Sequence, residues 1–221
     1  MPGALGQVTK AIVAVNVVIY LVLNVLASSS PIFGDLTTNG RPIWEDFEIW
    51  RVLTGGFLHA NLIHIGFNMY LLWQLGQQIE RVIGPKLFTA VYFTSLFGGS
   101  FGAILLDPDV PVVGASGAVF GLIGFTALLY RSRGIGLFDT GLGFLIVINI
   151  LFSVRGGVSL GGHGGGLLMG ALLGVLFYGA AVGHKPVIKS GKAQLAVTAG
   201  LGVLAAVGAV LASSTWMSPL F

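Results

Sequence analysis

Seven apolar stretches, the first two separated by a long link at 29–60 and the rest by short ones, decide what this chain can fold into. They lie near residues 11–28, 61–79, 86–106, 115–130, 140–154, 162–182 and 194–212. Most approach the roughly 20 residues that an α-helix needs to cross a bilayer. Only 9% of the 221 residues are charged and 55% are hydrophobic, whereas an ordinary soluble domain carries about 25% charged residues. So few charges cannot cover the surface of a soluble domain of this length. An all-α, polytopic membrane protein is expected, with one membrane-embedded domain over residues 1–221. The spans near 115–130 and 140–154 are short for helices bathed in lipid, so either neighbours shield them or the bilayer is locally thin. The first span contains Asn16 and Asn24 and is followed by no clean small-residue cleavage site, so it is expected to be retained.

Basic residues set the expected topology. Lys10, Arg81, Lys86, Arg131, Arg133, Lys185, Lys189 and Lys192 share one side if the N-terminus is cytoplasmic, leaving only Arg41, Arg51 and Arg155 outside. The positive-inside rule then selects this orientation for a multi-pass protein of the cell membrane. Asp35, Glu45, Asp46, Glu48, Asp107 and Asp109 fall outside, which is consistent but carries little weight. Spans two, four and six consequently run from outside to inside. Their N-terminal ends bring His59, Asn61, His64 and Asn68, then Ser116, then His163 to a similar depth near the outer face.

Ser116 sits in Gly114-Ala115-Ser116-Gly117, at the start of span four. The free N–H groups and positive dipole end of a helix N-terminus favour developing negative charge. Taken alone, the tetrapeptide is more often a small-residue surface for close helix packing. His163 sits in Gly161-Gly162-His163-Gly164, and Gly166, Gly170 and Gly174 follow it at i+3, i+7 and i+11. Gly117, Gly121 and Gly124 form a matching stripe on span four. Two glycine-faced helices approach closely, which gives Ser116 and His163 a way to meet. A histidine inside a membrane is a functional candidate by default; the bland alternative is a histidine bonded to a neighbouring carbonyl.

Asn61, His64 and Asn68 form a polar stripe on span two. Neutral imidazole and amide groups donate to an oxyanion without the cost of burying a charge, and they also serve simple interhelical bonding. Asn16, Tyr20 and Asn24 make a similar stripe on span one; with nothing reactive beside it, it is assigned to packing. No Asp or Glu lies deep in any span, and Asp139 falls on the cytoplasmic side. The acidic member of a serine triad is therefore missing, and any nucleophilic chemistry is that of a Ser–His dyad. The chain has no cysteine, no HExxH motif, four scattered histidines and no phosphate-cradling motif. No metal, no cofactor and no nucleic acid are expected.

Together these residues resemble the rhomboid intramembrane serine proteases. The resemblance rests on His59 and His64-x-x-x-Asn68, on Gly114-x-Ser116-Gly117 and on His163-x-x-Gly166-x-x-x-Gly170. Trp50-Arg51 before span two and Glu80-Arg81 after it add to it, so the motifs cover residues 44–174 in family order. The resemblance implies a six-helix catalytic core at about 11–182 and an extra C-terminal span at about 194–212. It implies Ser116 as nucleophile and His163 as general base and later acid. His64, Asn68 and the Ser116 N–H would form the oxyanion hole. Phe120 falls where many relatives place an aromatic on the histidine ring; where that residue is tyrosine, a role for its hydroxyl does not carry over.

The expected substrates are transmembrane proteins with helix-weakening residues near the outer face, because a helix must unwind before its carbonyls can be attacked. The 29–60 loop, with Phe33, Trp44, Phe47 and Trp50 among charges, is expected at the interface as an access element. Two competing readings stay open: a catalytically inactive relative that binds membrane proteins, and a small transporter.

Overall fold

The computed structural model describes residues 6–154 and 159–217. Arg155, one of the three basic residues expected outside, lies beyond them. Helix α1 (Gln7–Tyr20) continues into a π-helical segment, Leu21–Leu26. Three short helices follow, α2 (Ile32–Asp35), α3 (Gly40–Glu45) and α4 (Arg51–Thr54), and then the long helices α5 (Leu62–Ile83) and α6 (Pro85–Leu106). The rest of the chain forms α7 (Ser116–Ser132), α8 (Leu142–Val154), α9 (Leu160–Tyr178) and α10 (Gly191–Ala212). Each expected span has its helix. The largest differences, four residues each, are that α1 starts at Gln7, that α5 runs on to Ile83 and that α9 stops at Tyr178, where Gly179 turns the chain with φ 83°.

By length and composition, the described residues contain four stretches able to cross a membrane: Gln7–Leu26, Pro85–Leu106, Leu160–Tyr178 and Gly191–Thr215. Helix α5 is as long but carries Gln74, Gln77, Gln78, Glu80 and Arg81 in its second half. Helices α7 and α8 have 17 and 13 residues. Shielding explains α7 only. Every residue from Ala118 to Thr126 is buried, so α7 is apolar all round because neighbours surround it all round. Helix α8 is different: Phe144 is 63% exposed, and it meets the rest of the fold mainly through α7.

Glycine seams hold the centre together. A Cβ on Gly166 would overlap the carbonyl of Gly117, and one on Gly170 the carbonyl of Gly121. One on Gly124 would overlap the carbonyl of Leu167, and one on Gly174 would lie 2.6 Å from Leu128 Cβ. This is the expected close α7–α9 approach, with glycine on glycine at Gly117–Gly166 and Gly121–Gly170, while Gly124 and Gly174 instead meet Leu167 and Leu128. A second seam goes beyond that expectation. Gly98 and Gly102 on α6 lie against Gly161 and Gly165 on α9, and a Cβ on Gly99 would reach Gly117 Cα at 2.9 Å. Backbone approach of this kind gains dispersion contact that bulkier side chains would prevent.

Helix α1 is fastened to α5 at its first turn. Glu80, 2% exposed, accepts hydrogen bonds from Val8 N (3.0 Å), Thr9 N (2.9 Å) and Thr9 Oγ1 (2.8 Å). A carboxylate here satisfies N–H groups that a helix start leaves open and complements its dipole. The sequence places Glu80 just past the end of span two; the structure makes it a buried cap.

Candidate active site

Three helix starts converge on one cavity of about 850 Å³. Its walls include His64 and Asn68 from α5, Ser116 and Gly117 from α7, and Gly162 and His163 from α9. All four residues singled out in the sequence therefore line the same space. The loop before α7 adds Val113 and Gly114, and the 29–60 segment adds Thr38, Gly55 and Gly56.

Ser116 is the first residue of α7, after an Ala115 cap, so its own N–H belongs to the unsatisfied first turn. Gly114 shapes the approach. Its φ of 125° suits glycine alone, and a Cβ there would lie 2.7 Å from His64 Nε2 and 3.5 Å from Ser116 Oγ. The space a side chain would have filled is thus left open between the serine hydroxyl and the imidazole of His64.

His163 reaches the serine side of the cavity through the α7–α9 seam. A Cβ on Gly117, the residue after Ser116, would lie 3.5 Å from Gly162 O, and one on Gly166 would lie 3.1 Å from Gly117 Cα. One turn beyond Ser116, Phe120 is 4% exposed and stacks on the His163 ring, with centroids 4.0 Å apart and planes 18° apart. Residues i and i+4 share a helix face, so Ser116 and the surface that holds His163 are neighbours. The side chain of Ser159 caps α9 by accepting from Gly162 N at 2.9 Å and also lines the cavity. Its signal in the sequence is an ordinary cap pattern four residues before His163.

The polar stripe of α5 divides into two uses. Asn61 is the N-cap, its side chain accepting from His64 N at 2.9 Å. Asn68 is 4% exposed and donates one amide hydrogen to His64 O at 3.0 Å, leaving its second N–H for the cavity. His59, part of the motif but given no role by the sequence, is fully buried beneath His64, with ring centroids 5.1 Å apart at 68°. Its Nε2 stands 3.5 Å from the N–H of Ala115, at the outer limit of a hydrogen bond.

The 29–60 segment is a folded cap. Arg51, 6% exposed, donates to Gly34 O (2.6 Å) and Thr37 O (3.3 Å) and pairs with Glu48. Thr38 and Val112 exchange backbone hydrogen bonds of 3.0 and 2.8 Å, and Gly114 N donates to Gly55 O at 2.9 Å. Phe47 (76%) and Trp50 (48%) remain exposed, as interfacial rings would be. The segment therefore sets the loop that carries Gly114 and Ser116. No periodicity in the sequence announces this pairing. Among the described residues no group of three or more histidine, cysteine or carboxylate side chains is placed to hold a metal.

Comparison with known proteins fits this arrangement. Residues 46–180 match the Rhomboid domain family. The chain is 34% identical over 199 residues to Rhomboid-like protease 1 of Toxoplasma gondii, covering 83% of this chain and 68% of that protein. It is 31% identical over 180 residues to the putative rhomboid protease YdcA of Bacillus subtilis, covering 78% of this chain and 89% of that one. It is also 32% identical over 115 residues to the inactive RHOMBOID-like protein 8 of Arabidopsis thaliana, covering 52% of this chain and 32% of that protein. With the Bacillus subtilis rhomboid protease GluP, 34% identical over 140 residues, 62% of this chain aligns with only 26% of the relative. The chain is a membrane-embedded protein of the rhomboid family.

Proposed function

We propose that the protein is an intramembrane serine endopeptidase that cleaves other membrane proteins through a Ser116–His163 dyad. The observation that carries this reading is the convergence of Ser116, His163, His64 and Asn68 on one cavity, with Ser116 at a helix N-terminus. Ser116 Oγ attacks the scissile carbonyl carbon while His163 takes its proton. The oxyanion that forms is held by the Ser116 N–H, the His64 imidazole and the free amide hydrogen of Asn68. Collapse breaks the C–N bond, and His163 returns the proton to the departing amine. Water, deprotonated by His163, then releases the acyl chain from Ser116.

The cavity's position at the starts of α5, α7 and α9 favours a cut near one membrane face, and the distribution of basic residues makes that the outer face. Suitable substrates are transmembrane helices weakened there by Gly, Pro or polar residues, because a regular helix keeps its carbonyls in i→i−4 bonds. The test co-expresses a candidate single-span substrate with wild-type, Ser116→Ala and His163→Ala protein. Cleavage by the wild type alone supports the dyad; cleavage surviving both substitutions overturns it.

Similarity to an inactive Arabidopsis relative supports a second reading, a binder of membrane proteins that cuts nothing. Labelling with a serine-directed fluorophosphonate separates the two: folded protein that shows no Ser116-dependent labelling is the binder.

A further inference from the structure

Asn24 reads in the sequence as a packing residue, and the structure shows what it is packed to. It lies in the π-helical segment Leu21–Leu26, closed by the bond from Ala27 N to Val22 O at 2.8 Å. π-turns are rare and recur at functional places, because the extra residue re-aims the side chains around it. The neighbours Leu21, Val22, Val25 and Leu26 are all exposed, 43–80%, as a lipid-facing surface would be. An amide in such surroundings needs a partner. Asn24 Nδ2 finds it in His59 O, at 3.0 Å across 35 residues of chain.

His59 is the link between that bond and the cavity. Its carbonyl lies in the stretch between Phe57 and the start of α5. Its buried ring touches the two parts of the site that must be held in register. It packs edge-on with His64, ring centroids 5.1 Å apart, and its Nε2 faces the Ala115 N–H, one residue before Ser116. Asn24 itself is not part of the cavity wall. Helix α1 is thus fixed to the α5 region twice, by Glu80 at its first turn and by Asn24 beyond its last.

We infer that Asn24 is a positioning residue of the active site: its bond to His59 O holds the His59 ring, which in turn sets His64 against the Ala115–Ser116 turn. The inference rests on the protease reading above. Because Asn24 does not line the cavity, its loss should leave substrate binding intact and disturb only the geometry of attack. Misplacement of catalytic groups by about 1 Å can cost on the order of a hundredfold in rate.

The experiment uses the purified full chain in detergent with a cleavable single-span substrate, comparing wild type, Asn24→Leu, Asn24→Asp and Ser116→Ala. Asn24→Leu is expected to lower kcat about ten- to hundredfold, with KM and thermal midpoint close to wild type. In Asn24→Asp the ionised carboxylate repels the His59 carbonyl, whereas the protonated acid donates to it. The activity ratio of this variant to wild type should therefore rise as pH falls from about 6 to about 3.5, through the ordinary aspartate range. A KM increase at constant kcat, a kcat loss that only follows loss of folded protein, or a pH-independent ratio overturns the inference. Absence of Ser116-dependent cleavage in the wild type counts against the protease reading instead. In that event the ¹⁵N imidazole signals of His59 and His64 decide: a shift in Asn24→Leu upholds the positioning role, and unchanged signals overturn it.

Discussion

Phe120 lies flat on His163, its ring centroid 4.0 Å away and its plane tilted by only 18°. Because Phe120 is one turn after Ser116, the helix that presents the serine also orients the imidazole. Ring stacking is worth about 0.5–1.5 kcal/mol beyond simple burial, enough to favour one ring orientation. Phe120→Leu keeps an apolar side chain but loses the flat face. Fluorophosphonate labelling of Ser116 and kcat should both fall by about three- to tenfold, with KM unchanged, whereas Phe120→Tyr, which keeps the ring, should lose less. Equal labelling rates in wild type and Phe120→Leu would remove the ring from the mechanism.

Asn68 has one amide hydrogen on His64 O and one left for the cavity. Removing a single oxyanion donor typically lowers kcat by about 10²–10³. Asn68→Ala should therefore be slow but not dead, in contrast to Ser116→Ala. Asn68→Asp should be at least as slow, since a carboxylate of the same shape repels an oxyanion. Steady-state rates on one substrate, with KM measured separately, check both. An Asn68→Asp variant as fast as wild type would leave the oxyanion to other donors.

The contacts that build this site differ in how plainly the amino-acid pattern announces them. The α7–α9 seam is legible because α7 carries glycines at i, i+4 and i+7 and α9 at i+3, i+7 and i+11 from His163, a spacing that favours backbone approach; two of these pairs, Gly117–Gly166 and Gly121–Gly170, do meet. The second seam is hidden in the same glycines. Gly161 and Gly165 face α6, and a run such as Gly161-Gly162-His163-Gly164-Gly165-Gly166 does not say which glycine meets which neighbour. Asn24 and His59 stay opaque because their bond joins a side chain to a backbone carbonyl 35 residues away. The turn geometry that aims Asn24 is an irregularity in α1 which hydropathy does not register. The same holds for the pairing of Thr38 with Val112, a long-range contact with no local periodicity.

Glu80 is the counterpart of Asn24 at the other end of α1. Its carboxylate takes hydrogen bonds from Val8 N, Thr9 N and Thr9 Oγ1, all shielded from solvent or partly so. Glu80→Ala would leave these donors without acceptors, at roughly 1–3 kcal/mol for each group that remains buried. Glu80→Gln keeps an acceptor oxygen and should lose less. Proteolysis of the folded protein in detergent should show residues near Gln7 becoming accessible in Glu80→Ala before the α6–α7–α9 centre unfolds. Simultaneous loss of both regions would mean that α1 is not separately anchored.

A pair of glycines on one helix gives the sharpest stability contrast. Gly170 and Gly164 both belong to α9, and alanine raises helix propensity at each by about 1 kcal/mol. At Gly170 a Cβ would run into the carbonyl of Gly121, and backbone cannot swing aside as a flexible side chain does. Overpacking of this kind costs about 1–3 kcal/mol, and the helices can relieve it only by moving apart. At Gly164 nothing lies within 4 Å of the added methyl. Gly170→Ala should therefore lower the thermal midpoint in detergent and slow Ser116 labelling, because separating α7 from α9 carries Ser116 away from His163. Gly164→Ala should leave the midpoint unchanged or slightly raised, although it is next to His163 in sequence. If the two variants melted alike, the close α7–α9 approach would not be what holds the dyad together.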